Sequence, residues 1–255
     1  MAVVRNAPGE SVTSRALSVL DAFDDTHAFL TLTQVSRRAG LPLATASRRV
    51  RDLVDSRLLV KTPDSRYAIG PRMWHLGLLS APTSMREAAL PHLQDLVAAT
   101  GHTVHLAVLD GLAVLVVERI SGTRMVPTRH TPGSRLPLHC TAVGKVVLAN
   151  APPEIQDQAM RTLTRHTPHT TTDARVLRAQ LADIRARGIA RSVQEHRMGV
   201  SSAAAPVVTR MGTTAGVAVI APVATSRLGR VTEPLRACAA AITVELDAVE
   251  AARRY

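Results

Sequence analysis

Thr31-Leu-Thr-Gln-Val-Ser-Arg-Arg-Ala-Gly-Leu-Pro-Leu-Ala-Thr-Ala-Ser-Arg-Arg-Val-Arg-Asp-Leu-Val54 reads as two helices joined by a tight turn. Thr31 with Gln34 three residues later has the form of a capping box, in which each side chain satisfies the other residue's backbone N–H. It opens a short helix containing Val35 and Ala39. Gly40 suits a helix stop, and Pro42 suits the first turn of the next helix. In that second helix Ala46, Val50, Leu53 and Val54 recur at i, i+4, i+7 and i+8, an apolar stripe. The opposite face presents Ala44, Thr45, Ser47, Arg48 and Arg51. A helix anchored on one face, with donors on the other, meets the requirement for reading base edges and phosphates in a major groove.

Outward from this stretch the pattern extends both ways. Upstream, the first ten residues read as an unstructured tail, followed by a helix with Val12, Ala16, Val19, Leu20 and Phe23 on one face. Downstream, strands at Leu58–Lys61 and Arg66–Ile69 flank the turn Thr62-Pro-Asp-Ser65. Helix, helix, turn, helix and hairpin make a winged helix-turn-helix. Between residues 36 and 72 lie nine basic and three acidic side chains. The candidate DNA contacts are Thr33, Gln34, Ala44, Thr45, Ser47, Arg48, Arg51 and, beside the wing turn, Arg66; Arg37 and Arg38 are available for the backbone. The competing reading is a basic helical bundle with a solvated Arg face; the capped helix, the Gly-Leu-Pro turn and the hairpin weigh against it.

Bulk composition is less discriminating. The chain has 255 residues, enough for one large or two smaller cores. Aromatic residues are only 2% against 46% hydrophobic overall, so the cores must rest on Leu, Val, Ala and Ile. The net charge of +11 comes almost wholly from Arg, since Lys61 and Lys145 are the only lysines. Arg suits phosphate and guanine edges. The excess is nevertheless spread, with 11 basic and 7 acidic residues up to residue 80 and 20 and 13 beyond it. No apolar run is long enough to span a bilayer, and the first residues lack a secretory apolar segment. Cys140 and Cys238 match no zinc or redox spacing. A reducing cytoplasm is the expected compartment.

Pro71 to Pro82, with Trp74, Leu76, Leu78 and Leu79, reads as a linker helix. The expected division is a DNA-binding domain over 11–71, a linker over 72–83 and a third region over 84–255. In the last region a helix runs through Leu93, Leu96 and Val97 to Gly101. Strands are expected at Val104–Leu109, Leu112–Ile120, Ile189–Gln194, Ser201–Val208 and Ala215–Ala221. Helices are expected at Thr141–Ala149, Ile155–Leu163 and Ala174–Arg187, with a last one through Leu235, Cys238, Ala239, Ile242, Leu246 and Val249. This is a mixed α/β domain whose neighbouring strands can pair antiparallel, so the chain as a whole is α+β.

Ser14-Arg-Ala-Leu17, Leu32 to Pro42, Thr45, Arg48, Arg66-Tyr-Ala-Ile-Gly70, Leu136-Pro-Leu-His-Cys-Thr-Ala-Val-Gly-Lys145, Glu195-His with Gly199, and Ala205-Pro206 stand out in this order along the chain. Together they resemble the isocitrate lyase regulator (IclR) family of bacterial transcription factors. The resemblance runs from about residue 11 to about 250. It implies a winged helix-turn-helix, a linker helix and a GAF/profilin-like effector domain. It also implies dimers or tetramers on pseudo-palindromic double-stranded operators, a small organic or aromatic acid as effector, and no membrane partner. Leu43, Ala44 and Arg49 depart from the usual pattern, so no operator sequence carries over.

Mapped through the resemblance, the effector cleft would be lined by Met125, Thr128, Leu136, Ala142, Val143, Ser192, Ser202, Ala218 and Ile220. The N–H groups of Ala142 and Val143, near a helix start, are candidate carboxylate donors. Ala218 and Ile220 stand where relatives can carry hydroxyls, which predicts an effector more apolar than a small keto-acid. No catalytic set emerges, and no cofactor or metal is expected. Adjacent His139 and Cys140 do not form a nucleophile–base pair unless the backbone turns sharply. His166, His169 and Asp173 are a weak metal spacing, and Lys145 lacks the glycines of a phosphate loop. The second reading is a small-molecule-binding protein or hydrolase that keeps a degenerate DNA module.

Overall fold

The computed structural model describes residues 11–124, 126, 130–212, 214–225 and 228–252. The tail, Met125 and Thr128 therefore lie outside the described residues. The chain divides after Ser80 into two compact units.

The first unit holds α1 (Val12–Leu20), α2 (Leu32–Ala39), α3 (Leu43–Asp55), the hairpin β1 (Leu59–Lys61) and β2 (Tyr67–Ile69), and α4 (Pro71–Leu78). The capping box of α2 is complete. Thr31 N–H donates to Gln34 Oε1 at 2.8 Å, and Gln34 N–H donates to Thr31 Oγ1 at 3.3 Å. Gly40 ends α2 with φ at 66°, a left-handed conformation that a side chain would strain. Pro42 stands one residue earlier than expected, at the N-cap of α3. The core is Val19, Leu30, Val35, Ala46, Val50 and Leu59 with their neighbours. Leu30 exchanges backbone hydrogen bonds of 3.0 and 2.7 Å with Tyr67, which ties the wing to the entry of α2. Two side chains depart from the expected face of α1. Val12 is 56% exposed, because the core begins a turn further in. Phe23 lies beyond the helix end and packs against the core only in part.

The second unit opens with α5 (Ala81–Thr100), which starts earlier than the sequence pattern indicated because Pro82 is tolerated in a first turn. Among the described residues six strands follow: β3 (Thr103–Asp110), β4 (Ala113–Ile120), β5 (Arg135–Pro137), β6 (Ala190–Val193), β7 (Val200–Val208) and β8 (Thr214–Pro222). They form one sheet in the order β5-β4-β3-β8-β7-β6. Every neighbouring pair is antiparallel. Between β5 and β6 run α6 (Ala142–Asn150), α7 (Pro153–Arg161) and α8 (Ala174–Arg187), and the described chain closes with α9 (Thr232–Ala252). The sheet is covered on both faces. Val104, Leu106, Val217 and Val219 join α5 and α9 in one core, whereas Ala107, Val114, Ala204, Ala218 and Ile220 join α6, α7 and α8 in the other. Gly216 lets α6 approach closely: a Cβ there would sit 2.8 Å from Val146 and 3.0 Å from Val143.

Candidate recognition helix and ligand cleft

On α3 the anchored face is Ala46, Val50 and Leu53, all buried, while Ala44, Arg48 and Arg51 are exposed and Thr45 and Ser47 half-buried. Arg49 is only 8% exposed, and its Nη1 meets Asp52 Oδ2 at 2.8 Å. Its stem fills the apolar position and its head is neutralised on the helix itself, so it does not belong to the reading face. Arg38 is also withdrawn from the DNA set. Its Nε donates to the Ala22 carbonyl at 2.6 Å and its Nη2 pairs with Asp24, fastening α2 to the α1 exit. Thr33 and Arg37 are exposed at α2. Gln34 Oε1 is committed to the capping box, which leaves its amide N–H₂ to donate. On the wing, Arg66 Nε donates to Asp64 Oδ2 at 2.6 Å while its guanidinium lies 5.3 Å over the Phe29 ring. The Thr62 hydroxyl and then Arg66 hold the Asp64 carboxyl below its ordinary pKa.

A cleft opens in the second unit between the sheet and the start of α6. Leu136, Ala142, Val143, Ser192, Ser202, Ala218 and Ile220 all line it. The strand register explains why residues so far apart in sequence converge. Ser192 pairs with Ser202 and Ser202 with Ile220, while Ala218 pairs with His105. Strand alternation sends this set to the α6 side and Val217 and Val219 to the other. Thr141 caps α6, accepting from Gly144 N–H at 3.0 Å. The first-turn N–H groups of Ala142 and Val143 have no partner within the helix and carry the positive end of its dipole.

Several cleft residues escaped the sequence reading: His105, His130, Thr141, His196, Arg197 and Val200. His105 matters most. It is 2% exposed, and its Nε2 has no hydrogen-bond partner among the described residues. Burial, aided by nearby His130 and Arg119, depresses its pKa to about 3, so it is a neutral imidazole at pH 7. One expected donor is already used: Ser192 Oγ donates to the Cys140 carbonyl at 2.8 Å, so its hydroxyl can only accept from a ligand.

Beside the cleft, Lys145 Nζ donates to both oxygens of Glu195 at 2.6 and 2.7 Å. Burial raises the Glu195 pKa and the ammonium counters it. The Gly-Lys dipeptide is thus a buried ion pair and not a phosphate loop. Cys140 is buried and its thiol is pushed up to about 12, chiefly by desolvation, which suits a protonated thiol and not a nucleophile. Asp173 caps α8, accepting from Arg175 N–H at 2.7 Å.

Comparison with known proteins matches both units. Residues 80–244 match the family described as "Bacterial transcriptional regulator IclR C-terminal", and residues 12–63 match "IclR helix-turn-helix domain". The chain is 32% identical over 218 residues to the probable transcriptional regulator SauR of Cupriavidus necator, covering 82% of this chain and 85% of that protein. It is 30% identical over 201 residues to the HTH-type transcriptional regulator XynR of Escherichia coli, covering 76% and 78%. Among solved structures, an IclR homolog complexed with 4-hydroxybenzoate from Microbacterium hydrocarbonoxydans superposes with a TM-score of 0.87 at 30% identity, covering 93% of this chain and 100% of that one.

Proposed function

We propose, for a chain that belongs to the IclR family of bacterial transcriptional regulators, that α3 reads operator DNA through Arg48 and Arg51 and that the cleft beneath α6 takes an aromatic monocarboxylate as effector. DNA binding by the winged unit and control by an effector are shared by the family. The finer assignment rests on one observation: the buried Nε2 of His105, without a partner among the described residues, lines the same cleft as the first turn of α6, whose Ala142 and Val143 amides have no partner within the helix. A carboxylate loses its hydration on entering such a cleft, at a cost of several kcal/mol unless donors replace it. Ala142 and Val143 N–H supply two donors. The body of the ligand then lies against Leu136, Ala218 and Ile220, and a ring hydroxyl reaches His105. The relative that holds 4-hydroxybenzoate supports this class of molecule. Because His105 adds polarity to the apolar strand pair Ala218 and Ile220, the effector needs a polar group at both ends.

Isothermal calorimetry with 4-hydroxybenzoate, glyoxylate, pyruvate and larger aromatic acids tests this. An aromatic acid should bind more tightly than either keto-acid, and His105→Leu should weaken it about tenfold, ~1.4 kcal/mol, through one lost hydrogen bond. Tight binding of glyoxylate or pyruvate alone, or a His105→Leu variant that binds as wild type does, would show the assignment to be wrong.

A single helix-turn-helix offers too small an interface for specificity, and α4 with its C-cap Leu79 exposes Trp74, Leu76, Leu78 and Leu79, with Trp74 at 73%. We infer that the chain acts as a dimer or tetramer on a pseudo-palindromic site, with α4 in the contact between copies. Sedimentation should show a dimer or larger that Trp74→Glu weakens. A monomer both free and on DNA would refute it. No helix among the described residues is long and apolar enough to cross a membrane. A cytoplasmic site of action fits a partner that is chromosomal DNA.

A further inference from the structure

Next to the cleft, and meeting it at His196, lies a cluster of soft donors that the ligand reading does not use. His139, Cys140 and His166 each place a ligating atom within 4.8 Å of the other two. His196 stands beside them: its Nδ1 is 3.8 Å from Cys140 Sγ, and its ring lies 5.0 Å from that of His166. These residues come from three separate segments, the N-terminal approach to α6, the loop between α7 and α8, and the turn after β6. Of the nearby cations, Lys145 is already paired with Glu195, and Arg197 stands next to His196. The His139 ring is also oriented. Its Nε2–H donates to the Thr164 carbonyl at 2.8 Å, which leaves the Nδ1 lone pair for another partner. A backbone carbonyl fixing the far nitrogen of an imidazole is the usual support of a metal-bound histidine.

We propose that His139, Cys140, His166 and His196 form a zinc site that clamps these three segments together. One thiolate with three imidazoles suits Zn²⁺, a borderline ion that takes four nitrogen or sulfur ligands tetrahedrally. Tetrahedral bonds of about 2.0–2.3 Å place ligand atoms roughly 3.3–3.7 Å apart, so side-chain shifts of about 1 Å close the spacing of His139, Cys140 and His166, and His196 joins as the fourth ligand from its contact with Cys140. As the S–Zn bond forms, the thiol proton leaves to solvent, and no electron transfer is involved. His166 is exposed, so the ion can enter from its side. Of its four residues only His196 lines the ligand cleft, and the site stands independently of the effector assignment.

The test uses the full-length chain, stripped with a chelator and then titrated with Zn²⁺ or Co²⁺. One equivalent per chain should bind, Co²⁺ should give a thiolate charge-transfer absorption, and Zn²⁺ in excess should raise the melting temperature by about 5 °C or more. Cys140→Ser should abolish the charge-transfer band. His166→Ala, at an exposed position that the fold does not need, should weaken the metal by about tenfold or more. Absence of saturable binding overturns the proposal. So does metal binding that both variants retain at wild-type strength. Calorimetry of 4-hydroxybenzoate on the stripped protein reports the effector cleft separately, so failure of one reading is distinguishable from failure of the other.

Discussion

Replacing Lys145 by Ala should destabilise the second unit by about 3–5 kcal/mol, the usual cost of leaving one member of a buried ion pair alone. The Lys145 side chain is 2% exposed and that of Glu195 12%, so neither reaches much water. The ammonium binds both carboxylate oxygens, and its stem sits within the helix that packs on the sheet. Without it, Glu195 must keep an uncompensated charge beside the Cys140 thiol or take up a proton. Pairing Lys145→Met with Glu195→Gln should recover most of the loss, because both charges then disappear and the volumes are kept. Urea unfolding followed by circular dichroism measures this. A Lys145→Ala loss under about 1 kcal/mol, or no recovery in the double variant, would show that the pair does not hold α6 to the strand end.

Arg48→Ala should lower operator affinity by about 1–3 kcal/mol, roughly 5- to 150-fold, with the fold intact. Arg48 is exposed on α3 opposite the buried stripe, and its removal leaves no cavity. If it meets a base edge, the loss falls on the specific site and one position of the operator relaxes. If it meets phosphate, affinity falls for every sequence and the salt dependence becomes shallower. Anisotropy on operator and random duplexes at several salt concentrations separates the two. Arg49 and Arg38 make contrasting controls. Their guanidinium groups are spent on Asp52 and on Ala22 and Asp24, so their substitution should act on stability before it acts on affinity.

The winged unit was legible because its signals are local. Thr31 and Gln34 are three residues apart, Gly40 marks its own conformation, and the stripe on α3 repeats within one helix. The cleft was legible in another way. The positions carried over by resemblance through Leu136, Ala142, Val143, Ser192, Ser202, Ala218 and Ile220 converge on one cavity. His105 was not seen because β3 is covered on both faces; a strand with no polar face gives alternation nothing to report. Strand β5, three residues long, is too short to show any period. The histidine cluster joins His166 to His139 and Cys140 by a loop that folds back, and no spacing rule anticipates it. The spacing of His166, His169 and Asp173 gives only a weak metal reading, and Asp173 is a helix cap; the soft donors near His166 lie upstream, before α6.

The most direct test of two separable sites is a single binding measurement on three full-length proteins: wild type, Arg48→Ala and His105→Leu. Each is titrated onto the intergenic DNA beside its own gene, with and without the aromatic acid that binds best. The account predicts that wild type binds and that the acid shifts its affinity. Arg48→Ala should bind the DNA roughly 5- to 150-fold more weakly while still binding the acid by calorimetry, and His105→Leu should bind DNA normally but respond only at about tenfold higher acid. An Arg48→Ala protein that binds DNA as wild type does, or a His105→Leu protein with an unchanged response, would contradict it.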